Sequence, residues 1–178
     1  MGSGQRNVFV DESKVRDYLL ISVGLDRSDV SRARASMTEL VLRGQSRIHM
    51  RKESDPRRRS ILSTIATLDT EIIVVRAVKD GRGDTVRRGA CMRHLVPLVT
   101  RRSPVALCLE RDETLVRNDR QWIVEALHAS GVKDQFSHRH ESAAQEPLLA
   151  LPDAIGWAWA KGGEWRQRCG PGIDLHDV

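Results

Sequence analysis

Two acidic residues in apolar surroundings are the part of this chain best suited to chemistry. Asp11 directly follows the apolar run Val8–Val10, so a buried strand would place its carboxylate at the rim of a sheet. Asp153 lies within the apolar stretch Leu148–Trp159. A buried, unpaired carboxylate is costly unless it binds a cation. The two acids therefore predict a site for a hard divalent metal, although Pro152 offers Asp153 a rival role in the dipole-stabilised first turn of a helix.

Glu110 is the best candidate for a third acid at this site. It ends the apolar run Pro104–Glu110, which has the composition of a buried strand. If this strand and that of Asp11 are parallel neighbours, both carboxylates lie at the carboxyl ends of the strands, where ligand sites collect. Asp112 and Glu113 are close substitutes, and surface acids in a loop are the alternative for each of them.

Several other residues are weaker candidates for an auxiliary role. Glu12 follows Asp11, but neighbouring residues of a strand face opposite sides, so only one of them is expected to face the site. His49 and Glu53 could assist proton transfer, although most pairs with this spacing are structural. Asp119 is better explained as a helix N-cap than as a metal ligand.

Composition gives weak support for a polyanionic partner. The 178 residues contain 29 Lys and Arg against 24 Asp and Glu, a formal net charge of +5. The densest cationic cluster is Arg57, Arg58 and Arg59, and it is the candidate for nucleic-acid binding, with a solvated helix face as the alternative. Trp157 is expected in the core and Trp159 at least partly so. Both are expected to be packing anchors rather than base stackers, because residues two apart on a helix cannot face one surface.

Other classes of protein are disfavoured by what the sequence lacks. It has no Gly-rich phosphate loop, no Gly-x-Ser-x-Gly elbow and no Cys-x-x-Cys pair, and His138 and His140 lack further ligands at zinc spacing. No apolar stretch approaches the ~20 residues of a membrane span, and the N-terminus lacks the apolar segment of a signal peptide. Three unpatterned cysteines indicate reduced thiols. We therefore expect a cytoplasmic protein without a membrane partner.

The apolar patterns predict one α/β domain over residues 1–178, with an ordered core at roughly 7–168 and a flexible tail after 170. Strands that open as a hairpin and then alternate with helices favour a mixed central sheet with helices on both faces. The expected strands are 8–10, 18–25, 47–51, 71–78, 104–110 and 135–141, and the expected helices begin near 28, 55, 85, 118 and 147, with Pro97 ending or kinking the third.

Three segments carry a resemblance to a known family: VFVDES at the start, LCLERDE in the middle and EPLLALPDAIGWAWAKGGEWRQR near the end. Together they resemble the bacterial family called domain of unknown function three-eight-zero-zero, which is placed in the ribonuclease H-like superfamily. The resemblance implies a mixed sheet with a metal site formed by Asp11 and Asp153, and Glu110 is the best match for the acid between them. A helix between the second and third strands departs from the plain three-strand meander of a ribonuclease H sheet.

These observations favour a metal-dependent nuclease that hydrolyses DNA or RNA with Mg²⁺ or Mn²⁺ held by Asp11, Glu110 and Asp153. Glu53 is the candidate for a further catalytic residue. One alternative is a non-catalytic ribonuclease H-like module that binds nucleic acid or a protein. The other is an unrelated α/β enzyme with a deep apolar pocket for a small molecule. The sequence leaves open whether the chain forms homo-oligomers.

Overall fold

A six-stranded mixed sheet forms the centre of the computed structural model, which describes residues 4–101, 104–132 and 134–178. The strand order is β5-β4-β1-β2-β3-β6, and β2 alone among these strands runs against its neighbours. The strands are β1 (Arg6–Ser13), β2 (Tyr18–Asp26), β3 (Glu71–Ala77), β4 (Val105–Glu110), β5 (Phe136–Glu141) and β6 (Ile173–Asp177). This confirms the predicted mixed sheet.

The central pairings follow from the apolar runs that the sequence places in β1, β2 and β4. β1 and β2 form the expected antiparallel hairpin, in which Asp11 pairs with Ile21. β1 and β4 are parallel neighbours, and Val10 pairs with Leu109 in their register. Asp11 and Glu110 each follow one residue of that pair, so the two acids lie side by side at the carboxyl ends of adjacent strands.

Helices cover both faces of the sheet, as the sequence predicts. One core contains Phe9, Ile21 and Ile155, and the opposite core contains Val10 and Met92. The first core packs under α1, α2 and α5, and the second under α3 and α4. The helices are α1 (Val30–Glu39), α2 (Asp55–Ala66), α3 (Asp84–Val99), α4 (Val116–Ser130), α5 (Ala150–Lys161) and α6 (Gly163–Gln167). Among the helices described, none is long and apolar enough to cross a membrane.

The strand predicted at 47–51 and the helix end predicted at Pro97 are both wrong, and the alternative of a kink at Pro97 stays a prediction. Residues 47–51 do not form a strand; a 3-10 helix covers Met50–Lys52 instead, because the buried Met50 is anchored by its backbone to Asp153 on α5. α3 continues through Pro97 to Val99. Pro97 lies in the last turn, where it removes a single hydrogen bond, and the buried flank of the helix holds that turn in place.

Two boundary predictions are also corrected. α4 begins at Val116, so Asp119 lies inside the helix and is not its N-cap. The tail after Gly170 is not loosely ordered, because it forms β6 parallel to β3, with Val74 opposite Leu175. Backbone pairing to an edge strand supplies the order that the short polar sequence of the tail did not predict.

The close approach of α5 to the hairpin depends on Gly156. A Cβ atom at this position would lie 2.8 Å from Cδ1 of Ile21. We expect Gly156→Ala to lower the free energy of unfolding by about 1–3 kcal/mol, because overpacking would force α5 away from β2. Urea unfolding measures this effect. Gly172→Ala is the control, since its Cβ would meet nothing within 4 Å, and equal stability of the two variants would contradict the prediction.

Candidate metal site

Asp11 is the centre of the candidate site. Its carboxylate lies at the end of β1, where Oδ1 accepts a 2.7 Å hydrogen bond from the backbone N–H of Glu12. Burial, and then the negative charges of Glu110, Asp153 and Glu12, raise the pKa of Asp11 well above its usual value. The acids predicted to act together are therefore close enough to repel one another.

Glu110 reaches the same site from β4 and is paired with a cation. Nη1 of Arg47 donates a 2.7 Å hydrogen bond to its Oε1. Both side chains are partly exposed, at 30% for Arg47 and 25% for Glu110, so the pair lies at the mouth of the site and not in the core. The guanidinium neutralises part of the negative charge that the three acids create.

Asp153 comes to the site from the first turn of α5. The backbone N–H of Met50 donates a 2.9 Å hydrogen bond to its Oδ2, and Nδ1 of His49 lies 3.7 Å from its Oδ1. Burial raises the pKa of Asp153 above its usual value, despite the opposing effects of the Met50 hydrogen bond and of His49. Nδ1 of His49 is itself buried without a hydrogen-bond partner among the described residues.

The three acids line one open cleft of about 490 Å³. Its six other lining residues, among those described, are also polar or charged: Glu12, Arg47, His49, Arg111, Asp112 and Glu113. Within the described residues, no three His, Cys, Asp or Glu side chains are arranged as a ready metal-binding group. The donor chemistry nevertheless fits a hard divalent ion, because all three acids supply oxygen and the half-buried carboxylate of Asp11 has no cationic partner among the described side chains.

Other predicted site residues lie elsewhere or have structural roles. Glu53, the candidate catalytic residue, does not line this cleft; its side chain is 3% exposed and accepts hydrogen bonds from Gln45 and Arg57. Asp112 does line the cleft, but its carboxylate accepts hydrogen bonds from the N–H and hydroxyl of Thr114. Glu53 therefore stabilises the loop before α2 instead of joining the three acids.

The predicted arginine cluster makes its contacts within the protein. Arg57 donates to Glu53 and to the carbonyl of Leu40. The other two guanidinium groups are also engaged: Arg58 pairs with Asp55 and stacks on Trp157, and Arg59 pairs with Glu164 and stacks near Trp165. Arg57, Arg58 and Arg59 are thus half-buried and held by internal contacts, which agrees neither with a free cationic cluster nor with a solvated helix face.

The sequence did not reveal a buried ionic network behind the site. Arg88 on α3, whose side chain is 2% exposed, donates from Nε and Nη2 to the two carboxylate oxygens of Asp119 at 2.7 and 2.9 Å. Its Nη1 donates to Glu12 and, at 3.0 Å, to the hydroxyl of Tyr18. The one sequence signal is that Arg88 shares a helix face with the apolar Cys91 and Met92.

This network also fixes the backbone next to Asp11. The carboxylate of Glu12 accepts a hydrogen bond from Arg88, although Glu12 also lines the cleft of Asp11 and was not expected to face the same site. Nε2 of His140 lies 3.0 Å from Asp119, and hydrogen bonds from His140 and Arg88 outweigh burial and lower the pKa of Asp119. Because Asp119 is ionised, Nε2 of His140 is the donor. Arg88 thus anchors Glu12, whose N–H is the hydrogen-bond donor to Asp11.

The sheet order and the placement of the helices define an α/β fold of the ribonuclease H-like class. Searches with protein-family models and among curated proteins found no match. A chain in the structure of the PCNA–RNase HII complex from Archaeoglobus fulgidus is similar, with a TM-score of 0.56 and 12% identity over 89% of this chain and 73% of that one. Two structures of Bst-RNase HIII, one of a mutant protein and one in complex with Mn²⁺, match with a TM-score of 0.43 and 12% identity over 90% of this chain and 56% of theirs. The likeness to the chain of the RNase HII complex confirms the ribonuclease H-like fold.

Proposed function

We propose that this protein is a divalent-metal-dependent nuclease that hydrolyses phosphodiester bonds of DNA or RNA. The observation that carries the proposal is the half-buried carboxylate of Asp11, which lies beside Glu110 near the carboxyl ends of two parallel strands and close to Asp153 of α5. A similar fold in a chain from an RNase HII complex supports the assignment. Membership of the bacterial family called domain of unknown function three-eight-zero-zero stays a prediction from the sequence.

The side chains that line the cleft would have different roles in this reaction. Asp11, Glu110 and Asp153 would hold Mg²⁺ or Mn²⁺, and the bound ions would supply positive charge to the attacking water and the leaving oxygen. Arg47 sits at the mouth of the cleft, where its guanidinium can orient a phosphate. His49 has an unpartnered ring nitrogen in the same cleft and can take or return a proton there. The hydrogen bond from Met50 holds Asp153 toward the cleft.

A non-catalytic binding module is the second candidate. It is favoured by the absence, within the described residues, of a ready group of metal-ligating side chains. The small-molecule enzyme has less support. The apolar cavity beside Leu62, Ile65 and Ile155 has a volume of about 230 Å³, which is smaller than the ~300–1,000 Å³ of ligand pockets.

Asp153→Asn tests the proposed function. We expect Mn²⁺ to raise the melting temperature of the wild type more than that of the variant, because the amide lacks the charge that binds the ion. The variant should fold, since Asn keeps an oxygen that can accept the hydrogen bond from Met50. Its cleavage of labelled DNA, RNA and RNA–DNA hybrids with Mg²⁺ or Mn²⁺ should fall below detection.

The controls separate binding from catalysis. Cleavage by the wild type should stop in EDTA and resume when Mn²⁺ is added. Equal stabilisation of both proteins by Mn²⁺ would show that Asp153 is not a ligand. A wild type that binds Mn²⁺ but cleaves none of the three substrates would make the binding module the better explanation.

A further inference from the structure

A second cleft, of about 540 Å³, lies next to the acidic one. It is lined by Lys14 and Val15 of the β1–β2 turn, Arg51 of the 3-10 helix and the α5 residues Trp157, Ala160 and Lys161. Three of these six side chains are cationic, and among the described residues that line it none is acidic. We call it the basic cleft.

Two of the three cations of this cleft face solvent without a carboxylate partner among the described residues. Arg51 and Lys161 are exposed, and among the described residues neither side chain pairs with a carboxylate within 4.0 Å. Lys14 is 42% exposed and lies 3.0 Å from Glu12. Charges that are not neutralised within the protein are available to a polyanion. Arg57, Arg58 and Arg59, by contrast, are all engaged in internal contacts.

Trp157 forms the apolar wall of the cleft. It is half-buried and packs against the core, which agrees with a packing anchor. The guanidinium of Arg58 stacks 4.4 Å from its ring centroid, and the ring of Trp165 packs edge-on at 5.1 Å. These contacts hold the indole in place, so its exposed edge is presented to the cleft without a further ordering cost. An aromatic edge beside free cations is the composition of a surface that follows a nucleic-acid strand.

The basic cleft continues directly from the acidic one. Asp153, Trp157 and Lys161 are four residues apart in turn, so they lie on one face of α5. The rise of an α-helix places Trp157 about 6 Å and Lys161 about 12 Å along the axis from Asp153. Stacked nucleotides rise about 3.4 Å each along one strand, so this span covers roughly two to four nucleotides. The 3-10 helix links the clefts as well, since Met50 binds Asp153 and the next residue, Arg51, lines the basic cleft.

We infer that the basic cleft holds the sugar–phosphate backbone of a nucleic-acid strand on one side of the acidic site. Arg51, Lys161 and Lys14 contact phosphates, and the edge of Trp157 contacts a sugar or base. The inference rests on the proposed function for its substrate class. It assigns phosphate contacts to residues outside the predicted arginine cluster, and such contacts position a strand without reading its sequence.

The test measures binding in EDTA, where metal-dependent cleavage cannot occur. The probes are 20-nucleotide fluorescein-labelled single-stranded DNA, single-stranded RNA and an RNA–DNA hybrid, followed by fluorescence anisotropy over a salt series. Arg51→Ala/Lys161→Ala should weaken binding about tenfold and reduce the slope of log K against log salt by about 1.5, as expected for two lost phosphate contacts. Arg43→Ala/Lys52→Ala is the matched control, because it removes one Arg and one Lys from exposed positions outside the cleft.

Each outcome decides the matter. Unchanged binding by the control and weaker binding by the cleft variant support the inference. Equal losses in both variants, or no binding of any probe by the wild type, overturn it. If the wild type cleaves with Mn²⁺ and the cleft variant binds as tightly as the wild type, the role of the basic cleft is contradicted and the proposed nuclease activity is not. If the cleft variant binds more weakly and the wild type does not cleave, the role of the basic cleft in binding is supported and the proposed nuclease activity is contradicted.

Discussion

Arg88→Ala is expected to lower the free energy of unfolding by about 3–5 kcal/mol, one of the largest effects of any single substitution in this protein. Removing the guanidinium leaves the carboxylate of Asp119, which is 1% exposed, without its bidentate partner. The substitution also removes the hydrogen bonds that Arg88 donates to Glu12 and to the hydroxyl of Tyr18. A buried charge that loses its partner pays the full cost of desolvation. Urea unfolding at neutral pH measures the change.

A matched ion pair between the same two helices provides the control. Arg93 on α3 donates a 3.0 Å hydrogen bond to Glu125 on α4, but these side chains are 49% and 42% exposed. Arg93→Ala should therefore cost less than about 1 kcal/mol. If Arg88→Ala proves too unstable to purify, Arg88→Lys, which keeps the charge but loses the bidentate geometry, should show an intermediate loss. A loss for Arg88→Ala no larger than for Arg93→Ala would contradict the prediction.

The network should also make stability depend on pH in the acid range. The pKa of Asp119 is lowered in the folded protein, so its contribution is present above the unfolded pKa of about 3.9 and is lost as the pH falls through the folded pKa. The difference in stability between the wild type and Asp119→Asn should therefore shrink as the pH falls below about 4. A difference that stays constant down to pH 2 would show that the charge of Asp119 contributes nothing.

Asp11→Asn is expected to abolish catalysis while stabilising the protein in EDTA. Loss of the carboxylate that lies among the other acids should reduce cleavage by roughly 10³-fold or more, the effect of several kcal/mol of lost charge stabilisation by the metal. The same change removes a half-buried charge that Glu110, Asp153 and Glu12 repel. The melting temperature in EDTA should rise by about 2–4 °C, as a gain of ~1 kcal/mol produces in a domain of this size.

The stabilisation by Asp11→Asn should depend on pH with a definite sign. The folded pKa of Asp11 is raised, so folding favours its protonated form, and the wild type loses stability as the pH rises from about 4 through that folded pKa. The advantage of the variant should therefore be small at pH 4 and larger at pH 7. Thermal melting across this range in EDTA measures it, and an advantage that does not grow with pH would contradict the prediction.

Asp112→Asn is the matched control for Asp11→Asn. It removes one negative charge from the same cleft, but Asp112 is a partly exposed acid whose pKa is lowered by hydrogen bonds from Thr114. This variant should gain no stability in EDTA, and it should keep most of the metal-dependent cleavage. Equal stabilisation by both substitutions would mean that the overall charge of the cleft, and not the half-buried carboxylate of Asp11, sets the effect.

The sequence by itself determined the strands that carry the site. The apolar runs before Asp11 and Glu110 predicted two buried strands that end in acids, and these strands are parallel neighbours in the structure. The α/β class, the hairpin and the helices between β2 and β3 were predicted for the same reason. The spacing of apolar residues indicates which side chains are buried and whether they repeat as in a strand or as in a helix. A buried strand is expected to leave the core near the first charged residue that follows its apolar run.

Only the tertiary structure decided which polar groups meet. Arg88 finds Asp119 across 31 positions and Glu12 across 76, and no local pattern encodes such pairings. Glu53 was expected to be near the acids, but Arg57 and Gln45 hold it elsewhere. These partners depend on which helix faces pack together, since a polar side chain gains its stability from the groups it meets and not from its place in the sequence.

The last strand, β6, shows that backbone pairing between distant segments also could not be predicted from the sequence. The residues of β6 alternate apolar and polar side chains only over Ile173–His176, a run too short to predict a strand, yet they pair with β3. An edge strand is stabilised by hydrogen bonds to a neighbouring strand that is already in place. Its own sequence therefore need not show a clear strand pattern. The basic cleft likewise exists only because the β1–β2 turn, the 3-10 helix and α5 come together. Local patterns set the elements of this protein, and packing between distant elements set its ionic network and the surroundings of its candidate site.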